Sequence, residues 1–237
     1  MTKLRTPQSR FSGATGPAGI VLLRELLHRK LPVLAYCRTP SKIPEDLSSN
    51  PLLEVVKGDM SQRDAISLAV SRSRAVISLL GPSSAKPASN TEFADYYRTI
   101  VPLMKEHHVS RILALGTTSI YQPNDHSSVT RALMSNLIKV MVNSAYQNML
   151  AIQEYFETLN DTSIDWIVFR LGWLGGTADQ AAWLADREKG KAFAGPVGAP
   201  GYTSGINRSL LAQWLADVAT ANPEIWVRQM PAVSKAG

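Results

Sequence analysis

Cysteine is nearly missing from this chain. Cys37 is the only one in 237 residues, so no disulfide can form within it, and nothing in the sequence calls for an oxidising compartment. No stretch approaches the roughly 20 consecutive apolar residues that a membrane-spanning helix needs. The opening MTKLRTPQSRFSG lacks the apolar centre of a secretory signal. The expectation is a cytoplasmic protein with no membrane partner. Runs of one charge are missing as well. The net charge is +6, but the densest basic grouping is only Lys57, Arg63, Arg72 and Arg74. A nucleic-acid footprint needs a basic stripe or patch, so no nucleic-acid partner is expected. The GxSxG elbow, the HExxH pair and the Walker loop do not occur, and with them go the simplest signatures of ester hydrolysis, zinc proteolysis and P-loop chemistry. His107-His108 has no Cys, Asp or Glu at ligand spacing, so no metal site is expected. The pair reads as charge at a helix C-terminus. His126, in the polar loop PNDHSS, is a minor general-acid candidate.

What is present is an alternation of short apolar runs with longer amphipathic segments. PVLAY (32–36), LEVV (53–56), AVISLL (75–80), RILAL (111–115) and DWIVFR (165–170) read as strands, short and rich in Val, Ile and Leu, as parallel strands covered on both faces are. Helical stretches lie between them at 18–29, 62–71, 92–108 and 135–159. The repeating β-α-β order predicts an α/β fold of the Rossmann type, a doubly wound parallel sheet in one domain over 1–237. After Arg170 the glycines crowd, with Gly172, Gly175, Gly176, Gly190, Gly195, Gly198, Gly201 and Gly205. This small loop-rich C-terminal region, 171–237, is expected to form much of the substrate side. A helix at about 209–221 and a strand at 225–230 are expected within it.

The main motif is Gly13-Ala14-Thr15-Gly16-Pro17-Ala18-Gly19, followed at once by Ile20-Val21-Leu22-Leu23. Glycines so placed allow a tight turn, close approach of backbone to a pyrophosphate, and close packing of helix on strand. The helix N-terminus offers N–H groups and a positive dipole end. An ordinary glycine-rich turn has the same letters, so the pattern alone is weak. Three further features support it. Arg38 ends the second strand, nineteen residues beyond Gly19, with Lys42 four residues on. A carboxylate there would hold the ribose 2′-hydroxyl of NAD, whereas arginine pairs with the 2′-phosphate of NADP. Asp59 and Met60 follow the third strand, where adenine would lie. Gly81 follows the fourth in Leu80-Gly81-Pro82, where backbone must pass close to a cofactor.

With these residues in this order the chain resembles the atypical short-chain dehydrogenases, specifically the NmrA-like group with the GATGxxG turn. The runs SRILALGT (110–117) and MPAVS (230–234) are similar to fungal proteins of the averufin-oxidase-like branch, enzymes of secondary metabolism. The resemblance implies a Rossmann fold and NADP(H), in a family of reductases, isomerases and non-enzymatic redox sensors.

Catalysis is less clearly written. Classical members of the superfamily carry a Tyr-x-x-x-Lys pair on one helix face, the lysine lowering the tyrosine pKa. Tyr146 lies on the long fourth helix, but the position four residues on is Leu150. Lys139 is two turns earlier, about 10 Å away by helix rise. Tyr146 and Ser119 are the catalytic candidates, with packing or substrate contact the alternative for Tyr146. Thr117, with Thr118 and Tyr121, follows the fifth strand, where a hydroxyl can meet a substrate oxygen or the nicotinamide ribose. The commoner role is a polar turn bonding its own backbone. Trp173 and Trp183 are candidates to line a pocket for a flat substrate, or else core. Three readings remain, in this order: an NADP(H)-dependent oxidoreductase acting on a small, aromatic or polyketide-like molecule, a non-catalytic NADP(H)-sensing regulator, and a product that no longer binds cofactor. The oligomeric state is open.

The chain departs from the family before the glycine turn. An apolar strand normally stands there, whereas this chain has Thr6-Pro7-Gln8-Ser9-Arg10-Phe11-Ser12. Such residues suit a central strand poorly, so a short, irregular or displaced first strand is expected. A truncated or mis-spliced N-terminus is the alternative that this departure raises.

Overall fold

A computed structural model describes residues 8–81, 89–126, 143–221 and 224–237. Its centre is an eight-stranded sheet in the order β3-β2-β1-β4-β5-β6-β10-β8. The strands are β1 (Gln8–Ser12), β2 (Val33–Cys37), β3 (Leu53–Lys57), β4 (Ser73–Ser78), β5 (Arg111–Thr117), β6 (Asp165–Leu171), β8 (Ala192–Gly195) and β10 (Ala232–Lys235). All neighbours run parallel except β10 and β8. A separate parallel pair joins β7 (Trp173–Gly175) to β9 (Gly205–Asn207).

Both faces of the sheet are covered, which is why its strands read as nearly continuous apolar runs. Val33, Ala35 and Cys37 of β2 point into one core, shared with α1 (Pro17–His28), α6 (Gln180–Arg187) and α7 (Arg208–Thr220). Leu34 and Tyr36 point into the other, shared with α3 (Arg63–Ser71), α4 (Glu92–Glu106) and α5 (Asn143–Glu157). A four-residue helix, α2 (Glu45–Ser48), covers the edge near β3. The doubly wound expectation holds. The helix expected at 135–159 is described from Asn143 to Glu157; its first residues, Lys139 among them, lie outside the described residues.

The sequence misled in two places. The first strand is neither short nor displaced: β1 occupies the centre of the sheet, with Ser9–Ser12 in register with Val33–Tyr36 on one side and with Ala75–Ser78 on the other. The only irregularity is a register shift between Gln8 and Ser9. Pairing in a parallel ladder is made by backbone N–H and C=O groups, which every non-proline residue carries, and no proline stands between Gln8 and Ser12. The expected strand at 225–230 is also absent. Trp226 and Arg228 take positive φ there, 61° and 57°, and only Gln229 bridges to β6, at Ile167. Left-handed residues cannot continue an extended ladder. The strand comes two residues later as β10, wedged between β6 and β8. The C-terminal region therefore supplies two strands of the main sheet as well as its loops. β4 likewise ends at Ser78, before the expected Leu80.

Candidate functional site

In open α/β sheets a ligand lies outside the carboxyl ends of the strands, where the winding direction reverses. Here β1 sits between β2 and β4, so the reversal falls at the glycine turn. Gly13 follows β1 with φ of 87°, and the turn closes through Gly16 N–H donating to the Gly13 carbonyl at 3.3 Å. α1 opens with Pro17, whose fixed φ and missing N–H suit the first helical position. No side chain caps this helix, so its positive end at the turn has no side-chain acceptor of its own.

The three glycines have separate causes. A Cβ on Gly13 would stand 3.1 Å from the Leu79 carbonyl oxygen, in a backbone conformation L-residues avoid. One on Gly19 would stand 2.6 Å from the Ala14 carbonyl, so glycine lets α1 pack on the turn. Gly16 differs. Its φ is −79°, and a Cβ there would find only the Gly13 oxygen, at 3.7 Å. Neither conformation nor packing requires glycine at this point, whereas close approach by a phosphate does. The turn therefore fits the pyrophosphate of a dinucleotide. Thr15 and Ala18 flank it half-buried, and Pro17 is exposed.

One strand along, Arg38 follows β2 and helps line a pocket of about 250 Å³ together with Lys57, Gly58, Asp59 and Gln62. The floor is rigid: Tyr36 Oη donates to the Asp59 carbonyl at 2.6 Å, and Gly58 N–H donates to the Cys37 carbonyl at 3.0 Å. The Asp59 carboxylate accepts from the Ser61 hydroxyl at 2.5 Å and the Ser61 N–H at 2.8 Å. The Ser61 bonds, aided by the Arg38 charge, hold it below its usual pKa. Met60 packs against the second core. Lys42 stands exposed at the end of a 3₁₀ turn, Pro40–Lys42, and is not among the residues lining this pocket. Gly81 lies three residues past β4; a Cβ there would come within 2.8 Å of Leu115 Cδ2 on β5.

The expected substrate side begins at β5. Thr117 Oγ1 and Ser119 Oγ share a hydrogen bond of 2.5 Å, and Thr118 N–H donates to the Leu171 carbonyl at 3.0 Å. The ends of β5 and β6 are thereby tied together. Tyr146 is buried on α5, and Leu150 one turn on is half-buried. The two tryptophans part company. Trp173 is 79% exposed just beyond the end of β6. Trp183 is core: its Nε1 donates to the buried Glu25 at 3.3 Å, and Arg187 donates to the same carboxylate at 2.8 Å. Trp183 thus fastens α6 to α1 and lines no pocket for a flat substrate. Desolvation opposes the charge on Glu25, but the hydrogen bonds of Arg187 and Arg29 outweigh it and lower its pKa.

The sequence reading missed a buried ion pair at this edge. Arg170 donates to Asp125 at 2.6 and 2.8 Å, with side chains only 1% and 2% exposed. Arg170 also donates to the carbonyls of Met230 at 2.5 Å and Ile120 at 2.7 Å. Asp125 accepts from the N–H groups of Val197 at 2.9 Å and Gln122 at 3.0 Å. Burial alone would raise the Asp125 pKa; the Arg170 hydrogen bonds and these two N–H groups hold it well below the usual carboxylate range. The available signal was an arginine inside the apolar run DWIVFRL, which has to find an acceptor when buried.

A glycine turn at the reversal point, a helix end aimed at it and a cation at the end of β2 define a Rossmann-type dinucleotide-binding protein. The chain belongs to the NAD(P)H-binding family, whose match covers residues 13–222. Several solved structures share its fold. A short-chain dehydrogenase/reductase from Veillonella parvula, in complex with NADP, has a TM-score of 0.73 at 17% identity, over 98% of this chain and 95% of that one. An anaerobilin reductase from Escherichia coli O157:H7 has 0.67 at 18%, over 97% of each chain. An oxidoreductase from Lactococcus lactis has 0.69 at 13%, over 97% of this chain and 91% of that one. No curated protein matches the sequence. The kinship reaches the NAD(P)H-binding family, and the finer resemblance to the averufin-oxidase-like branch gains no support. Among the described residues no helix is long and apolar enough to cross a membrane.

Proposed function

We propose that this protein is an NADP(H)-dependent oxidoreductase of the atypical short-chain dehydrogenase type, acting in the cytoplasm on a small, aromatic or polyketide-derived molecule. The observation that carries the cofactor choice is Arg38, which follows β2 directly and lines a pocket with Lys57, Gly58, Asp59 and Gln62. A carboxylate at that position would favour NAD, whereas a guanidinium pairs with a 2′-phosphate. The bound dinucleotide supplies the hydride. The chain's own residues would then hold the pyrophosphate (Gly13, Thr15, Gly16, Pro17, Ala18 and Gly19), read the adenosine end (Arg38, Asp59 and Met60) and meet the nicotinamide side near Gly81 and Thr117.

Residues 171–237 would form much of the substrate side. Trp173, exposed beyond β6, with its backbone N–H donating to the Ser204 carbonyl at 2.8 Å, offers a flat apolar surface there, which supports an aromatic substrate. The Thr117–Ser119 hydroxyl pair is placed to orient a substrate oxygen. A second reading, a non-catalytic NADP(H) sensor, draws on Leu150, which stands where the classical proton-relay lysine would be.

Fluorescence titration with NADPH and NADH comes first, and NADPH should bind about tenfold or more tightly, the scale of one charge-assisted contact. Equal affinities would sink the assignment of Arg38. NADPH consumption against aromatic ketones and quinones then separates the two readings: turnover supports the enzyme, and tight NADPH binding with none supports the sensor.

A further inference from the structure

We propose that Lys57, and not Lys42, is the second cation that reads the 2′-phosphate, an inference that rests on the NADP(H) preference argued above. Lys57 is the last residue of β3 and pairs in register with Cys37, the last residue of β2. Arg38 is the next residue after Cys37, so the two cations leave neighbouring strand ends side by side. Both line the pocket of about 250 Å³, together with Gly58, Asp59 and Gln62. Lys42 is closer to Arg38 in sequence but lies outside that lining, on an exposed turn.

Among the described residues the charge balance leaves cations free at this corner, Lys42 as well as Arg38 and Lys57, and only the last two line the pocket. Arg24, Arg29 and Arg72, in the same half of the molecule, each pair with a carboxylate: Asp46, Glu25 and Glu54. Among the described residues neither Arg38 nor Lys57 makes a salt bridge. The one acid in the pocket, Asp59, already accepts two hydrogen bonds from Ser61. Asp59 feels the Arg38 charge but forms no salt bridge with either cation, so two cations against one carboxylate leave a net positive charge that a 2′-phosphate would balance. Their chemistry is complementary, because the arginine fork gives directed hydrogen bonds and the lysine a mobile point charge. Gly58 is required by packing: a Cβ there would come 2.6 Å from Cζ of the buried Tyr36, so the backbone between Lys57 and Asp59 lies close against that ring. NADH presents only a hydroxyl at this place, and Lys57 would gain nothing from it.

The test is fluorescence titration of the full chain with NADPH and NADH, with 2′-AMP and 5′-AMP as competing probes, on wild type and the Arg38→Ala, Lys42→Ala and Lys57→Ala variants. Lys57→Ala should weaken NADPH and 2′-AMP by roughly three- to tenfold, with NADH and 5′-AMP changed by less than about twofold. Lys42→Ala should leave all four nearly unchanged. Thermal melting of the exposed Lys57→Ala variant should match wild type. If Arg38→Ala abolishes NADPH preference while Lys57→Ala leaves it intact, or if Lys42→Ala carries the loss instead, the proposal is overturned and the Arg38 reading stands. If wild type binds NADPH and NADH equally, both fall together.

Discussion

The half of the sheet around the glycine turn and the half beyond Leu171 reach order by different means. Strands β1 to β4 are joined by long parallel ladders, four or five residues in register on each side. Beyond β6 the junction is thin: β10 meets β6 over only two residue pairs, although it pairs with β8 over four. Single side chains make up the difference. Arg170 and Asp125 together bond four backbone groups, Thr203 Oγ1 donates to the Lys235 carbonyl at 2.7 Å, and Asn207 caps α7 by accepting from Leu210 N–H at 2.8 Å. A structure held by repeated backbone pairing tolerates the loss of one side chain, whereas one held by a few polar nodes does not. The cofactor side is robust, and the proposed substrate side is vulnerable at particular points.

The hardest test of that contrast is Asp125→Ala. It leaves Arg170 buried without its carboxylate, which typically costs about 3–5 kcal/mol, and urea unfolding should show a loss of that size. A loss below about 1 kcal/mol would mean that the node contributes little and that the contrast is wrong. The pH dependence has a definite sign. A carboxylate whose folded pKa is depressed contributes stability that is present above the ordinary aspartate pKa, about 3.9, and lost as pH falls below it. Wild type should therefore lose stability steeply below about pH 4, and Asp125→Asn should flatten that part of the curve.

The same contrast explains what could be read in the sequence. The glycine turn, Arg38 and strands β2 to β6 are local patterns, visible within ten residues or so. Lys57 reads in the sequence only as one of a loose basic grouping, because its nearness to Arg38 comes from strand register. The Arg170–Asp125 pair spans 45 residues, and β10 is a four-residue strand whose partners are remote. β1 failed as an expectation for another reason: it was judged by its side chains, while its place rests on backbone pairing to both neighbours.

Smaller effects refine the contrast within the turn itself. Helix propensity alone would make Gly19→Ala stabilising by about 1 kcal/mol. The clash with the Ala14 carbonyl reverses the sign, and overpacking of this kind costs about 1–3 kcal/mol, which should appear as a lower melting temperature. Gly16→Ala has no such clash, so its melting temperature should stay near wild type while NADPH and NADH both weaken by about tenfold. If Gly16→Ala binds both as well as wild type, the pyrophosphate does not sit on this turn.

The smallest effect is expected at Tyr146. With Leu150 in place of a lysine, Tyr146→Phe should lower turnover by less than about tenfold, short of the 10²–10⁴ usual for a lost acid–base group. A larger fall in a variant with unchanged melting would make Tyr146 the proton donor.

The place of β10 has a consequence for how the molecule is made. It follows β8 by nearly forty residues in the chain, yet stands between β6 and β8 in the sheet. While the polypeptide emerges from the ribosome, β8 is produced with no partner strand in the main sheet and has to wait for β10 before it can dock. The ladders among β1 to β4 are complete once Ser78 has emerged, and α1 gains its remaining cover when α6 and α7 follow. Nascent chains stalled after α7 but before β10 should accordingly bury α1 while leaving Ala192–Gly195 open to proteases and chaperones.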